Sequence, residues 1–110
     1  MITFEDFEKV DVWVGKILEV NEFLEAKKPS YKLKIDFGED VGIKQSSVQI
    51  KHLYKKGDLI GRQVIAVVNF PPKQIANFMS EVLTLGVPDK DGRVVLLIPE
   101  REVDLGARMF

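Results

Sequence analysis

The sequence predicts an all-β fold: an OB-fold five-stranded Greek-key barrel with a short N-terminal helix and a C-terminal extension, filling residues 1–110 as one domain. Three observations predict it. Val64, Ile65, Ala66, Val67 and Val68 are apolar at every position, so both faces of a strand there need cover. Tyr31, Leu33, Ile35 and Phe37 alternate with Lys32, Lys34 and Asp36, the period-two pattern of a strand with one wet face. A short helical connection falls between the third and fourth strands, where such a barrel places one, and closure disposes of exposed sheet edges.

The elements follow in order. Thr3 with Asp6 supplies an N-cap and an acidic first turn for a helix to about Lys9. Phe4 and Phe7 share a face of it, and so short a helix must dock those rings on its own barrel or on a second subunit. Val10, Val12, Val14, Leu18 and Val20 share one parity, which turns them inward and Trp13 and Ile17 outward, with a bulge or bend at Gly15 and Lys16. A loop around Lys27, Lys28 and Pro29 leads to the strand from Tyr31, and Gly38 to Gly42 form a turn. Ile43 to Ile50 is a weaker strand, and Lys51 to Lys56 a helical turn with Gly57 and Gly61 as stops.

The strand of Val64 runs into Asn69, Phe70, Pro71, Pro72, Lys73 and Gln74, where two prolines remove two ladder donors and force the chain out of the sheet. It returns at Ser80 to Leu85. Gly86 and Pro88 break that strand, Asp89 to Gly92 turn, and Arg93 to Ile98 form the last one, ended by Pro99. The tail residues Val103, Leu105, Met109 and Phe110 are apolar enough to pack. A buried strand, a stiff proline corner carrying an aromatic and a lysine, and a returning strand make a natural place for a ligand.

Composition narrows the function classes. Hydrophobic residues are 45% and charged residues 30% of the chain, ordinary for a soluble domain. No apolar run reaches the ~18 residues of a membrane span, the N-terminus has no signal-peptide core, and the expected address is cytoplasmic without membrane insertion. The net charge of −1 divides unevenly. Residues 1–25 carry seven acids and two lysines, a balance of −5, and residues 26–80 carry ten basic residues against four acids, a balance of +6. That positive middle either draws an anionic ligand to one surface or interleaves with acids in three dimensions.

With no cysteine and His52 as the one histidine, neither a thiolate or histidine-rich metal site nor a cysteine nucleophile can be built. Asp36, Glu39 and Asp40 fall on a turn and read as solvated, and Gly38 and Gly42 do not match a phosphate loop. The expectation is a protein without catalytic residues, metal or cofactor.

Asn69-Phe70-Pro71-Pro72-Lys73-Gln74-Ile75 followed by Ser80-Glu81-Val82-Leu83 resembles the CsaA family of export-related chaperones, as do Asp11-Val12, Val14-Gly15-Lys16-Ile17 and Ser46-Ser47-Val48-Gln49-Ile50. That family resembles in turn the wider tRNA-binding domain family. The resemblance spans essentially the whole chain. It implies an OB barrel, a homodimer formed with the N-terminal helix and the C-terminal segment, and binding of unfolded preproteins or peptides during export, with tRNA and the export motor as further candidate partners. The wider family usually carries two basic residues and a glycine in the corner after the asparagine. This chain has Gln74, Ala76 and Asn77 there, with Lys73 one place out of step, so two phosphate partners are missing from a tRNA-specific reading.

Peptide capture needs exposed apolar surface and a few adaptable polar groups. Phe70, Pro71, Pro72, Ile75, Phe78 and Met79 supply the first, on a corner whose stiffness lowers the entropy cost of presenting them. Phe70 also shares the parity of Val64, Ala66 and Val68, which favours reading it as core. Lys16, Lys32, Lys34, Lys44 and Lys73 form an electropositive rim if their strands are adjacent, and otherwise are ordinary surface lysines. Gln45 and Ser46, with Gln74 and Ser80 at the corner, complete the candidate peptide- or tRNA-binding set; Gln45, Ser46 and Ser47 offer hydrogen bonds to a backbone or a phosphate, against a reading of all three as strand-end turn chemistry. Phe4, Phe7, Trp13, Met109 and Phe110 are the candidate dimer-interface residues, Trp13 by virtue of its outward parity.

Overall fold

The computed structural model describes all 110 residues. In chain order the elements are α1 (Phe4–Glu8), β1 (Val12–Glu22), β2 (Tyr31–Asp36), β3 (Ile43–Val48), α2 (Lys56–Leu59), β4 (Gln63–Val67), β5 (Lys73–Ile75), β6 (Phe78–Ser80), β7 (Leu83–Thr84), β8 (Gly86–Pro88) and β9 (Val94–Leu96). A five-stranded antiparallel sheet runs in the order β3-β2-β1-β4-β7, and two hairpins, β5-β6 and β8-β9, stand beside it. The sheet curls into a nearly closed barrel, the expected OB architecture. No helix is long and apolar enough to cross a membrane.

The alternating strand behaves as its period requires: Tyr31, Leu33, Ile35 and Phe37 are all buried, the last two completely. Each such side chain taken out of water contributes roughly 1.5–3 kcal/mol. Their partners across β1 overturn the expected parity of that strand. Ile17 pairs with Ile35 and Val20 with Leu33, while Glu19 pairs with Lys34, so Leu18 is the extra residue of a bulge. Trp13, Gly15 and Ile17 therefore face the core, the bulge shifts the inward set to Val20, and Leu18 is left exposed. Gly15 sits where it does because a Cβ there would lie 2.5 Å from Ile35 and 2.8 Å from the Phe37 ring. Val12 and Val14 are buried as well, but on the opposite face from that core, with Val67 across from Val12.

Three further expectations are corrected. The helical connection is α2, beginning at Lys56, so Gly57 lies inside it and Gly61 alone serves as the stop, at φ 84°. Lys55 N–H donates to Asp58 Oδ2 at its start. The returning strand does end before Gly86, as β7 at Thr84, but Gly86 and Pro88 then belong to a new strand, β8, whose partner β9 is shorter than the expected last strand. In the tail, Leu105 is half-buried whereas Val103, Met109 and Phe110 stay exposed. Backbone bonds line the tail along β1: Gly106 N–H donates to Val14 O, Val14 N–H to Ala107 O, and Met109 N–H to Val12 O, at 2.7–2.9 Å.

At the other end of the chain the capping box forms as the sequence predicts. Asp6 N–H donates to Thr3 Oγ1 and Thr3 N–H to Asp6 Oδ2. The backbone hydrogen bond from Thr3, helped by its hydroxyl and by Lys9, holds the Asp6 carboxyl below its ordinary value.

Candidate functional site

The proline corner is built from Asn69 outward. Its Oδ1 accepts the Asp11 N–H at 2.9 Å and its Nδ2 donates to Lys9 O at 2.8 Å, which ties the end of β4 to the exit of α1. Arg108 reaches the same place, donating to Glu8 O and to Asp11 Oδ1. Pro71 and Pro72 then turn away from the sheet with both rings exposed. Phe70 is 47% exposed, so the reading of it as core is overturned. The ladder ends at Val67, and with it the alternation that would have carried Phe70 inward.

Beyond the prolines, β5 and β6 pair Lys73 with Ser80, Gln74 with Met79 and Ile75 with Phe78. The pairing gives the hairpin two faces. Lys73, Ile75, Phe78 and Ser80 turn toward the barrel, and Gln74 and Met79 turn to solvent. Phe78 is therefore not the exposed apolar group the sequence suggested: it is half-buried against Phe23, ring centroids 5.4 Å apart. Lys32 Nζ lies 5.1 Å from the Phe23 centroid and 5.7 Å from that of Phe78. This cation over two rings latches the hairpin to the barrel wall.

Between the hairpin, the end of β3 and the β8-β9 hairpin lies a groove of about 540 Å³. Phe70, Pro71, Ile75, Leu83 and Val94 give it apolar walls, Lys73 and Glu81 are its charged groups, and Ser47 to Ile50 form one side. Gly86 lines it too, and a Cβ there would meet Val94 Cγ1 at 2.6 Å and Val95 O at 2.8 Å. A second hollow of about 320 Å³ shares Ser47, Gln49 and Ile75 with the first, so the two adjoin. Its far side is Lys27 and Lys28, with Glu25.

The structure sorts the residues singled out from sequence. Phe70, Pro71, Lys73 and Ser80 come together at the groove, while Pro72, Gln74, Phe78 and Met79 do not line it. Ser46 is fully buried, donating to Val82 O and accepting from Thr84 Oγ1, so its hydroxyl closes the barrel and faces no ligand. Ser80 is nearly as buried, its hydroxyl taken by Ser47 N–H and Val82 O. Gln45 holds the same seam through Met79 O and Glu81.

The lysines make no single rim. Lys16, Lys32 and Lys34 lie on the outer face of β1 and β2, Lys44 shares the inward parity of Ile35, and Lys73 stands across the groove. Asp36 faces Lys16, and Glu19 pairs with Lys34 at 3.6 Å, which blunts the positive field on that face.

Of the candidate interface residues, those of α1 and of the tail are brought near each other, since Arg108 donates to Glu8 O and Met109 N–H to Val12 O. The Phe4 and Phe7 rings on α1 lie tilted to each other with centroids 6.2 Å apart, and the tail carrying Met109 and Phe110 runs beside β1. Trp13, contrary to its expected outward parity, packs half-buried against the core. Leu83, Val94 and Gln49 in the groove, and the Lys27-Lys28 pair in the hollow beside it, are residues that sequence reasoning missed. Only the lysine pair had a legible signal, two adjacent cations in a loop beside a proline.

The comparisons with known proteins agree with this architecture. The pattern of the family described as a putative tRNA binding domain matches residues 12–108. The CsaA chaperone protein of Picrophilus torridus is 56% identical, with a TM-score of 0.94 and both chains covered in full. The chaperone CsaA of Bacillus anthracis is 49% identical, with the same TM-score, over all of this chain and 99% of its own. Among curated relatives, the methionine–tRNA ligase of Thermococcus kodakarensis is 38% identical over 98% of this chain, which spans only 14% of that enzyme.

Proposed function

The chain belongs to the putative tRNA-binding domain family, and from that premise we propose that it is a non-catalytic chaperone that holds exposed apolar segments of unfolded preproteins during export. The observation that carries this reading is the groove: apolar walls from Phe70, Pro71, Leu83 and Val94 left open to solvent, with charged groups at its margin. Nothing in it favours one side-chain shape, which suits a guest defined only by being unfolded. The protein works in the cytoplasm as a homodimer, its subunits meeting through Phe4, Phe7, Met109 and Phe110. It uses no nucleotide and hands its client to the export motor.

A second reading, a free-standing tRNA-binding protein, is supported by the family's own description and by the cationic hollow at Lys27 and Lys28. Salt separates the two. Capture of a urea-unfolded preprotein, titrated at low and at high salt, persists, whereas tRNA affinity falls by orders of magnitude as released counterions lose their advantage. Salt-sensitive binding of tRNA with no capture of the preprotein reverses the order of these readings.

A further inference from the structure

The groove has a hydrogen-bonding wall. Residues of β3 send their N–H and C=O groups alternately to the two edges of the strand. Gln45 O accepts Glu81 N–H at 2.9 Å, and Ser47 N–H donates to Ser80 Oγ at 3.0 Å, so the odd-numbered residues point away from β2 and toward the closing seam. Gln49 continues that parity one step past the last residue of the seam. Its N–H and C=O have no partner in the protein, and the Ser47 C=O accepts only a 3.4 Å contact from Ser46 Oγ. Ser47 and Gln49 line both the apolar groove and the basic hollow next to it. An open strand edge thus runs along the floor of a greasy channel.

We propose that the guest is an extended polypeptide that adds as a strand to this edge, pairing its backbone with Ser47 C=O and Gln49 N–H and C=O. This rests on the chaperone reading and specifies how that site works. Backbone pairing recognises any extended segment, and alternate side chains of the guest drop between Phe70, Pro71 and Leu83. Charge adds a preference. Lys73, Lys27 and Lys28 outnumber Glu81 and Glu25 along the channel, so the favoured segment carries an acidic residue near its apolar ones.

The test is an N-methyl scan of a fluorescein-labelled, unstructured peptide of alternating leucine and serine with one glutamate. Methylating every second backbone amide weakens binding by about tenfold or more, and methylating the intervening amides changes little, because only alternate amides face β3. Gln49→Pro, which deletes the donor, gives a loss of the same size, and Gln49→Ala, which keeps it, binds as the parent does. Exchanging the glutamate for lysine weakens binding severalfold.

Uniform tolerance of methylation by a peptide that does bind overturns the strand pairing and leaves the chaperone reading standing. An unmodified peptide that does not bind at all defeats both. If Gln49→Pro instead abolishes binding of polyuridine and leaves the peptide untouched, the edge serves RNA and the proposal is wrong. Should Gln49→Pro not fold, the scan on the parent protein decides alone.

Discussion

Two stretches of the chain spend their apolar residues in opposite ways. From Tyr31 to Phe37 every second side chain is apolar and buried, packed against Ile17, Val20 and Val64 in one core. From Phe70 to Met79 the apolar content is as high, yet Phe70 and Met79 are nearly half exposed, and both prolines lie at the surface. The first stretch has a partner strand on each side. The second has a two-stranded hairpin held by Asn69, by the Gln45 seam and by Lys32 over two rings. Hydrophobic surface covered by the chain itself stabilises the fold. Surface of the same kind left open, on a backbone held too stiffly to collapse over it, is available to a guest.

The sharpest test of that contrast is a pair of identical truncations. Phe37→Ala, in the completely buried position, leaves a cavity the barrel cannot fill and lowers stability by about 3–5 kcal/mol. Chemical denaturation reads it as a fall in midpoint at unchanged slope. Phe70→Ala, the same change at the rim of the groove, shifts stability by no more than about 1 kcal/mol. It weakens capture of an unfolded preprotein by roughly tenfold, the order expected for losing a central aromatic contact. Equal stability losses at the two positions would mean that Phe70 is core after all, and the groove would lose its principal wall.

The same contrast explains what was legible from sequence. Burial on one face writes a period into the chain, so β2, the apolar β4 and the capped α1 are readable from residue order alone. The parity of β1 was not. Its inward set changes at a bulge whose extra residue, Leu18, is as apolar as the ones it separates, and the nearby Gly15 and Lys16 drew the bulge to the wrong place. The corner announced itself through Pro71 and Pro72, but which of its side chains line the groove depends on the pairing of Gln74 with Met79, which no local pattern fixes. Ser46 and Ser80 looked like polar groups waiting for a ligand because partners far away in sequence, Val82 and Thr84 for Ser46 and the Ser47 N–H for Ser80, meet them only when the barrel closes. Gln49 was invisible for the same reason. An unpaired backbone group can be recognised only once all the paired ones are known.

The smallest expected effect probes how rigidly the open stretch is held. The turn between β5 and β6 places Ala76 at φ 52°, left-handed backbone that a Cβ disfavours, while Asn77, a residue type that tolerates such a position better than alanine, sits next to it. The hairpin therefore carries roughly 1 kcal/mol of backbone strain. Ala76→Gly removes it but returns conformational freedom to the unfolded chain, so the net gain is a few tenths of a kcal/mol, a rise of about 1–3 °C in melting temperature. Binding should change little, because the substitution removes only a methyl group from the hollow and leaves the groove walls in place. A gain in stability accompanied by weaker capture would show that the strain itself positions Ile75 against the channel. The open stretch would then owe its binding to a bent backbone as well as to exposed surface, and the distinction between the two regions would rest on geometry more than on burial.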